Sequence, residues 1–120
     1  MRITFVLPYA GLAGGIKVVA IYARLLREMG HHVNVVSISR SLSTKQQLRS
    51  LVREKKWLFR SESHGPSHFS IEDPFWTCYG HQGPIKNKHV PDADIIIATW
   101  WRTAEWVDQL DLRKGLKIYL

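Results

Sequence analysis

Cysteine is almost missing from this chain. Cys78 stands alone, so no disulfide can form within the chain, which fits a reducing compartment and leaves a packed core to hold any fold together. Acidic residues are scarce as well, 10 against 17 lysines and arginines, which leaves a formal charge of +7. No segment approaches the roughly 20 consecutive apolar residues of a membrane-spanning helix. The stretch from Met1 to Ala23 is apolar, but Pro8, the glycines and Lys17 interrupt it, and it reads as strand, turn and helix rather than as a signal peptide. Two further patterns are lacking. The dinucleotide fingerprint G-x-G-x-x-G is replaced by Gly11-x-x-Gly14-Gly15, and no Asp or Glu falls between Glu28 and Glu54 to hold a ribose. No histidine cluster has metal-ligand spacing on a helix: His31 and His32 are adjacent in a turn, and His64, His68, His81 and His89 lie in an irregular stretch. No metal site is expected.

What is present is an alternation of strand and helix patterns. With 120 residues, 45% hydrophobic and 22% charged, the chain has the size of one domain with a real core. The apolar run Ile3–Leu7, β-branched and aromatic, predicts a central strand buried on both faces. A helix is predicted from Ile16 to Met29, with Ile16, Val19, Ala20, Ala23 and Leu26 on its inner face and Lys17, Arg24, Arg27 and Glu28 on the other. Gly30 is placed to end it in the left-handed conformation. His32–Ile38 then reads as a second strand, parallel to the first through a right-handed crossover.

Between these two elements lies Pro8-Tyr9-Ala10-Gly11-Leu12-Ala13-Gly14-Gly15. A glycine-rich turn at a helix start exposes backbone N–H groups to an anionic or hydroxyl-rich ligand, and Gly14 and Gly15 carry no Cβ to block it. The alternative is that the glycines serve only a tight turn and close packing of helix on sheet.

Thr44 and Gln47 have capping-box spacing, and Leu48, Leu51, Val52 and Phe59 form an apolar stripe. Lys45, Arg49, Arg53, Lys56 and Arg60 then fall on one continuous basic face. Such a face fits an anionic membrane surface, with Trp57 at its border, or else a solvated exterior. From Ser61 to Pro91 regular pattern disappears, apart from a short strand expected near His68–Ile71. Pro91-Asp92-Ala93-Asp94 is a turn, Ile95–Ala98 a short buried strand, and a helix is expected from about Thr103 with Trp106, Val107 and Leu110 inward. Leu116–Leu120 reads as a last strand belonging to the core.

These residues carry a resemblance. MRITFVLPYAGLAGGIKVVAIYARLLREMGHHVNVVS, with Gly14-Gly15 and the turn Gly30-His31-His32-Val33, resembles the N-terminal domain of GT-B fold glycosyltransferases, family four in particular. The stretch from Val90 to Val107, VPDADIIIATWWRTAEWV, is similar to that family's strand and helix beyond the acceptor cleft. The resemblance covers roughly half of the chain. It implies an α/β, Rossmann-like three-layer sandwich with a parallel sheet of order 3-2-1-4-5 and an incomplete last element. It also implies that residues 1–120 are the acceptor-side domain of a retaining hexosyltransferase of polysaccharide biosynthesis. The nucleotide-sugar-binding domain would be missing and the chain inactive by itself.

The donor would be a nucleotide-sugar substrate, with no cofactor or metal, and the acceptor a glycan or lipid-linked sugar. The location implied is cytoplasmic, peripheral on the inner face of a membrane. Substrate-binding residues by this resemblance are Gly14, Gly15, Thr99, Trp100, Trp101 and Glu105, and no catalytic residue is assignable. Trp100 and Trp101 would stack on a sugar ring, or else serve as core or domain-interface residues. Glu105 would accept from an acceptor hydroxyl, or merely favour a helix start. Two alternatives stay open. One is an NADP-binding Rossmann domain of an oxidoreductase, with Arg40 meeting the 2′-phosphate. The other is a basic nucleic-acid-binding module, for which no named motif is visible.

Overall fold

The computed structural model describes residues 1–9, 14–38, 69, 74–79 and 84–120. The basic residues Lys45, Arg49, Arg53, Lys56 and Arg60, and Arg40 with them, lie outside the described residues. Five strands form one wholly parallel sheet: β1 (Arg2–Val6), β2 (His32–Ile38), β3 (Trp76–Tyr79), β4 (Ile95–Ala98) and β5 (Leu116–Tyr119). Their order is β3-β2-β1-β4-β5, the α/β Rossmann-like arrangement expected. Helix α1 (Gly14–Glu28) joins β1 to β2, and helix α2 (Trp101–Asp108) joins β4 to β5. Among the described residues, no helix is long and apolar enough to cross a membrane.

β1 occupies the middle because every one of its inner positions is apolar or small and can be buried on either face. Ile3 and Phe5 pack with Val33 and Val35 beneath Ile16, Val19, Ala20 and Ala23 of α1. On the reverse face Val6 packs with Val36, Ile96 and Ala98 against Val107 and Leu110 of the α2 region, with Ile85 and Val90 completing that layer. The two helices lie on opposite faces for a topological reason. β1 to β2 steps one way along the sheet and β4 to β5 the other, and right-handed crossovers in opposite directions put their helices on opposite sides. Thr4, central in β1, is the exception in chemistry: its buried hydroxyl has no hydrogen-bond partner among the described residues.

α1 begins two residues before the predicted start, at Gly14, and stops where expected. Gly30 takes φ 95°, its N–H donates to Arg27 O at 3.0 Å, and the His31 N–H donates to Leu26 O at 3.0 Å. These two bonds form the Schellman motif, which satisfies carbonyls the helix would leave unpaired.

Two expectations are corrected. The third strand of the sheet lies at Trp76–Tyr79, where loop was expected, paired with β2 from Val35↔Trp76 to Ile38↔Tyr79, and of the stretch His68–Ile71 only Phe69 falls within the described residues. Trp, Thr and Tyr suit an edge strand, and Pro74 lies before it, where a missing N–H costs no ladder bond. Phe69 is instead a buried plug, stacked on Trp76 at 5.7 Å and edge-on to Phe75 at 6.4 Å. The last strand is not part of the core either. β5 forms the edge, with Leu116 68% and Ile118 39% exposed, since no described helix covers that end of the α1 face.

The amino ends of β1, β4 and β5 are fastened together by polar contacts. Asp94 accepts the Arg2 backbone N–H at 2.7 Å and an Arg2 guanidinium N–H at 3.4 Å. The buried Lys114 ammonium donates to Val90 O at 2.8 Å and to Asp92 Oδ1 at 2.9 Å. Beside it, Gly115 has φ 114°, and a Cβ there would lie 2.8 Å from Asp94 C and Ile95 N.

These fastenings set the response to substitution and to acid. Gly115→Ala combines strain with a clash against backbone and should cost about 3 kcal/mol of stability. Gly30→Ala meets no obstruction and should cost only about 1 kcal/mol. Urea unfolding of both variants checks the difference. In acid, the carboxylates decide. The Arg2 backbone and side-chain hydrogen bonds hold the Asp94 carboxyl below its ordinary value, and the Lys114 hydrogen bond does the same for Asp92. A depressed folded-state value stabilises above the unfolded value and loses that contribution as pH falls through the folded one. The melting temperature should therefore drop as pH is lowered below roughly 4. The double variant Asp92→Asn/Asp94→Asn should show a shallower drop.

Candidate functional site at the carboxyl ends of β1 and β4

In an open α/β sheet, the crevice lies outside the carboxyl ends of the strands where the order reverses. Here the reversal falls between β1 and β4, which are hydrogen-bonded neighbours from Ile3↔Ile95 to Val6↔Ala98. The segments leaving these two parallel strands therefore emerge at the same end of the sheet. After β1 the chain runs through Leu7, Pro8 and Tyr9, and α1 starts at Gly14. After β4 come Thr99, Trp100 and Trp101.

Gly14 and Gly15 form the first residues of α1 rather than a turn before it. Neither has a positive φ, and a Cβ added at either meets nothing within 4 Å among the described residues. Residues 10–13 of the glycine-rich stretch lie outside the described residues. The first turn carries no acidic side chain, and Lys17 lies in it. A helix start of this kind, with no compensating carboxylate on its own first turn, favours an anion.

The turn after β4 is organised by a residue that sequence reasoning passed over. Thr103 is fully buried. Its hydroxyl oxygen accepts the Thr99 N–H at 3.1 Å and the Trp100 N–H at 2.9 Å, and its proton is donated to Trp100 O at 2.8 Å. One hydroxyl can donate once and accept twice, so Thr103 works at full capacity. These bonds also explain why α2 starts at Trp101, two residues before the predicted start. The signal was the Thr three residues after Trp100, the spacing at which a side chain reaches back over a helix start.

Thr99 is partly buried and donates its hydroxyl proton to Val6 O at 2.9 Å. It fastens the end of β4 to the end of β1 and has no proton left for a ligand. Trp100 and Trp101, by contrast, are presented outward, 38% and 51% exposed. Their ring centroids lie 5.3 Å apart at 55°. Neither belongs to the core, which leaves sugar stacking and a domain interface as the readings open for them. Glu105 is exposed on α2, one helical turn after Trp101, so the two share a helix face.

Two other polar side chains, His89 and Cys78, are engaged within the fold. His89 accepts the Lys86 N–H at Nδ1, 2.9 Å away, and its ring packs on Tyr79 at 4.6 Å. Burial pushes the Cys78 thiol up from its ordinary value, which disfavours a nucleophilic thiolate. Among the described residues no group of three or more His, Cys, Asp or Glu could hold a metal ion.

An α/β Rossmann-like fold with an outward-facing indole pair at its switch point is the class these observations define. Comparison with protein-family models, with curated proteins and with solved structures finds no match for this chain.

Thr103→Val should orphan two part-buried N–H groups and cost about 2 kcal/mol. Thr103→Ser keeps the hydroxyl and should cost about 1 kcal/mol. Urea unfolding measures both, and near-ultraviolet circular dichroism of the indoles should change for Thr103→Val alone.

Proposed function

We propose that this chain is the acceptor-binding half of a retaining GT-B glycosyltransferase, one that moves a sugar from a nucleotide-sugar donor to a glycan or lipid-linked acceptor. The observation that carries the reading is the exposed pair Trp100–Trp101, held by Thr103 at the carboxyl end of β4 beside the end of β1. An indole plane suits the C–H face of a sugar ring, and α/β folds take their ligands at this end. Glu105, on the same face as Trp101, accepts a hydrogen bond from an acceptor hydroxyl. The first turn of α1, with Gly14 and Gly15, borders the cleft on the side where donor phosphates approach. Their bare backbone permits close contact there.

In this reading the chemistry of transfer belongs to a donor domain outside these 120 residues. The groups named here bind and orient. They form no covalent intermediate. The location proposed is cytoplasmic, resting on a membrane face through the basic residues Lys45 to Arg60.

Titration of the chain with UDP-, GDP- and dTDP-sugars, with NADPH, and separately with a β-glucoside, followed by NMR, tests the proposal. Indole Nε1–H shifts of Trp100 and Trp101 with the glucoside, and no tight nucleotide binding, are expected. Micromolar NADPH binding centred on residues 11–15 and on Arg40 would replace this reading with the oxidoreductase one. Gly15→Ala offers an independent measurement: helix propensity should raise stability by about 0.5 kcal/mol, while any response of α1 to the nucleotide-sugars should weaken.

A further inference from the structure

The indole pair has a third member. The Arg102 guanidinium carbon lies 5.6 Å from the Trp100 ring centroid and 5.1 Å from that of Trp101. A cation over two ring faces is held electrostatically, and a side chain that would otherwise sample many rotamers is restrained. Its charge, however, is not neutralised. Arg102 is exposed, and none of the ion pairs among the described residues includes it. The first turn of α2 contains no acidic side chain. The carboxylate closest to it along α2 is Glu105, which makes no ion pair with it among the described residues.

Stacking on a neutral sugar requires no cation beside the ring. A guanidinium restrained by two indoles, with its fork of N–H donors uncommitted to any carboxylate, is matched by the planar oxygens of a carboxylate or by a phosphate. Among the described residues, Lys17 in the first turn of α1 has the same sign. Glu105 opposes them.

We propose that Trp100, Trp101 and Arg102 form one platform for a sugar that carries an anionic group, the ring lying on an indole and the carboxylate or phosphate meeting Arg102. This rests on the acceptor-side reading of the site and narrows its substrate class to anionic sugars. Each indole keeps one face towards Arg102 and offers the remainder of its exposed surface to the ring. Charge-assisted bonds of this kind are about twice as strong as neutral ones, and a preference of about tenfold for an anionic over a neutral sugar is expected.

Three sugars and inorganic phosphate separate the possibilities: methyl β-glucuronide, glucose 6-phosphate, the neutral methyl β-glucoside and the phosphate ion, each titrated into the full chain and into Arg102→Gln. Indole Nε1–H shifts and tryptophan fluorescence report binding. The wild-type chain should bind at least one anionic sugar about tenfold more tightly than the glucoside, the stronger of the two naming the anion. Arg102→Gln should bring that preference close to one, the anionic affinities falling to that of the glucoside in the same variant. Raising the salt concentration should reduce the preference in the wild type only. Equal affinity for all three sugars in the wild type would overturn the anionic class while leaving the acceptor-side reading in place. No indole response to any of the three would overturn both. Inorganic phosphate binding as tightly as glucose 6-phosphate would overturn the sugar platform and leave Arg102 as a bare anion site.

Discussion

The double pairing of β1 is the constraint on which the structure depends. Bound to β2 along one edge and to β4 along the other, it must be buried on both faces, and its apolar residues alternate into two separate cores. Because the chain grows from β1 first towards β3 and later towards β5, the helices divide between the faces. The crevice between the ends of β1 and β4 is then a consequence of connectivity, requiring no special residue. The two ends of the sheet differ in character for the same reason. At the amino end Asp94 and Lys114 direct their charge at neighbouring backbone and side chains, and Gly115 lets strands approach within contact. At the carboxyl end exposed groups remain uncommitted.

That division bears on how the site is built. Thr103 and Thr99 have their hydroxyl protons fully engaged: one also captures two N–H groups, the other ties β4 to β1. Their work is rigidity. Trp100, Trp101, Arg102 and Glu105 depend on it, since a turn fixed by a buried hydroxyl presents the residues on either side of it in a definite direction. A site carried on such a turn holds its shape before a ligand arrives, which lowers the ordering cost of binding.

Much of this is legible in the residues alone. The periodicity of Ile16, Val19, Ala20 and Ala23 and the placement of Gly30 identify α1 and its end, because a helix packed on a sheet needs one apolar side and a left-handed residue to stop it. Apolar runs identify β1 and β4, since strands buried twice need no alternation, and the valines of HVNVVSI identify β2. The helix starts are less legible. Gly14 and Gly15 look like a turn by propensity, and Trp101 is helical only because Thr103 reaches back to the preceding N–H groups. β3 is easily misplaced, since four residues of an edge strand carry too little pattern to stand out among prolines and glycines.

The sequence by itself determined α1, α2, four of the five strands and the parallel sheet, because hydrophobic period and glycine placement are local properties that leave few topologies open. It also singled out Trp100 and Trp101, yet it could not say whether they face the core or the solvent. Only the tertiary structure decided that, along with the commitment of Thr99 to Val6, the seating of Arg102 on the two indoles and the exposure of β5. Each of these depends on residues far apart in sequence or on the direction of a side chain, and neither is set until the strands have found their neighbours.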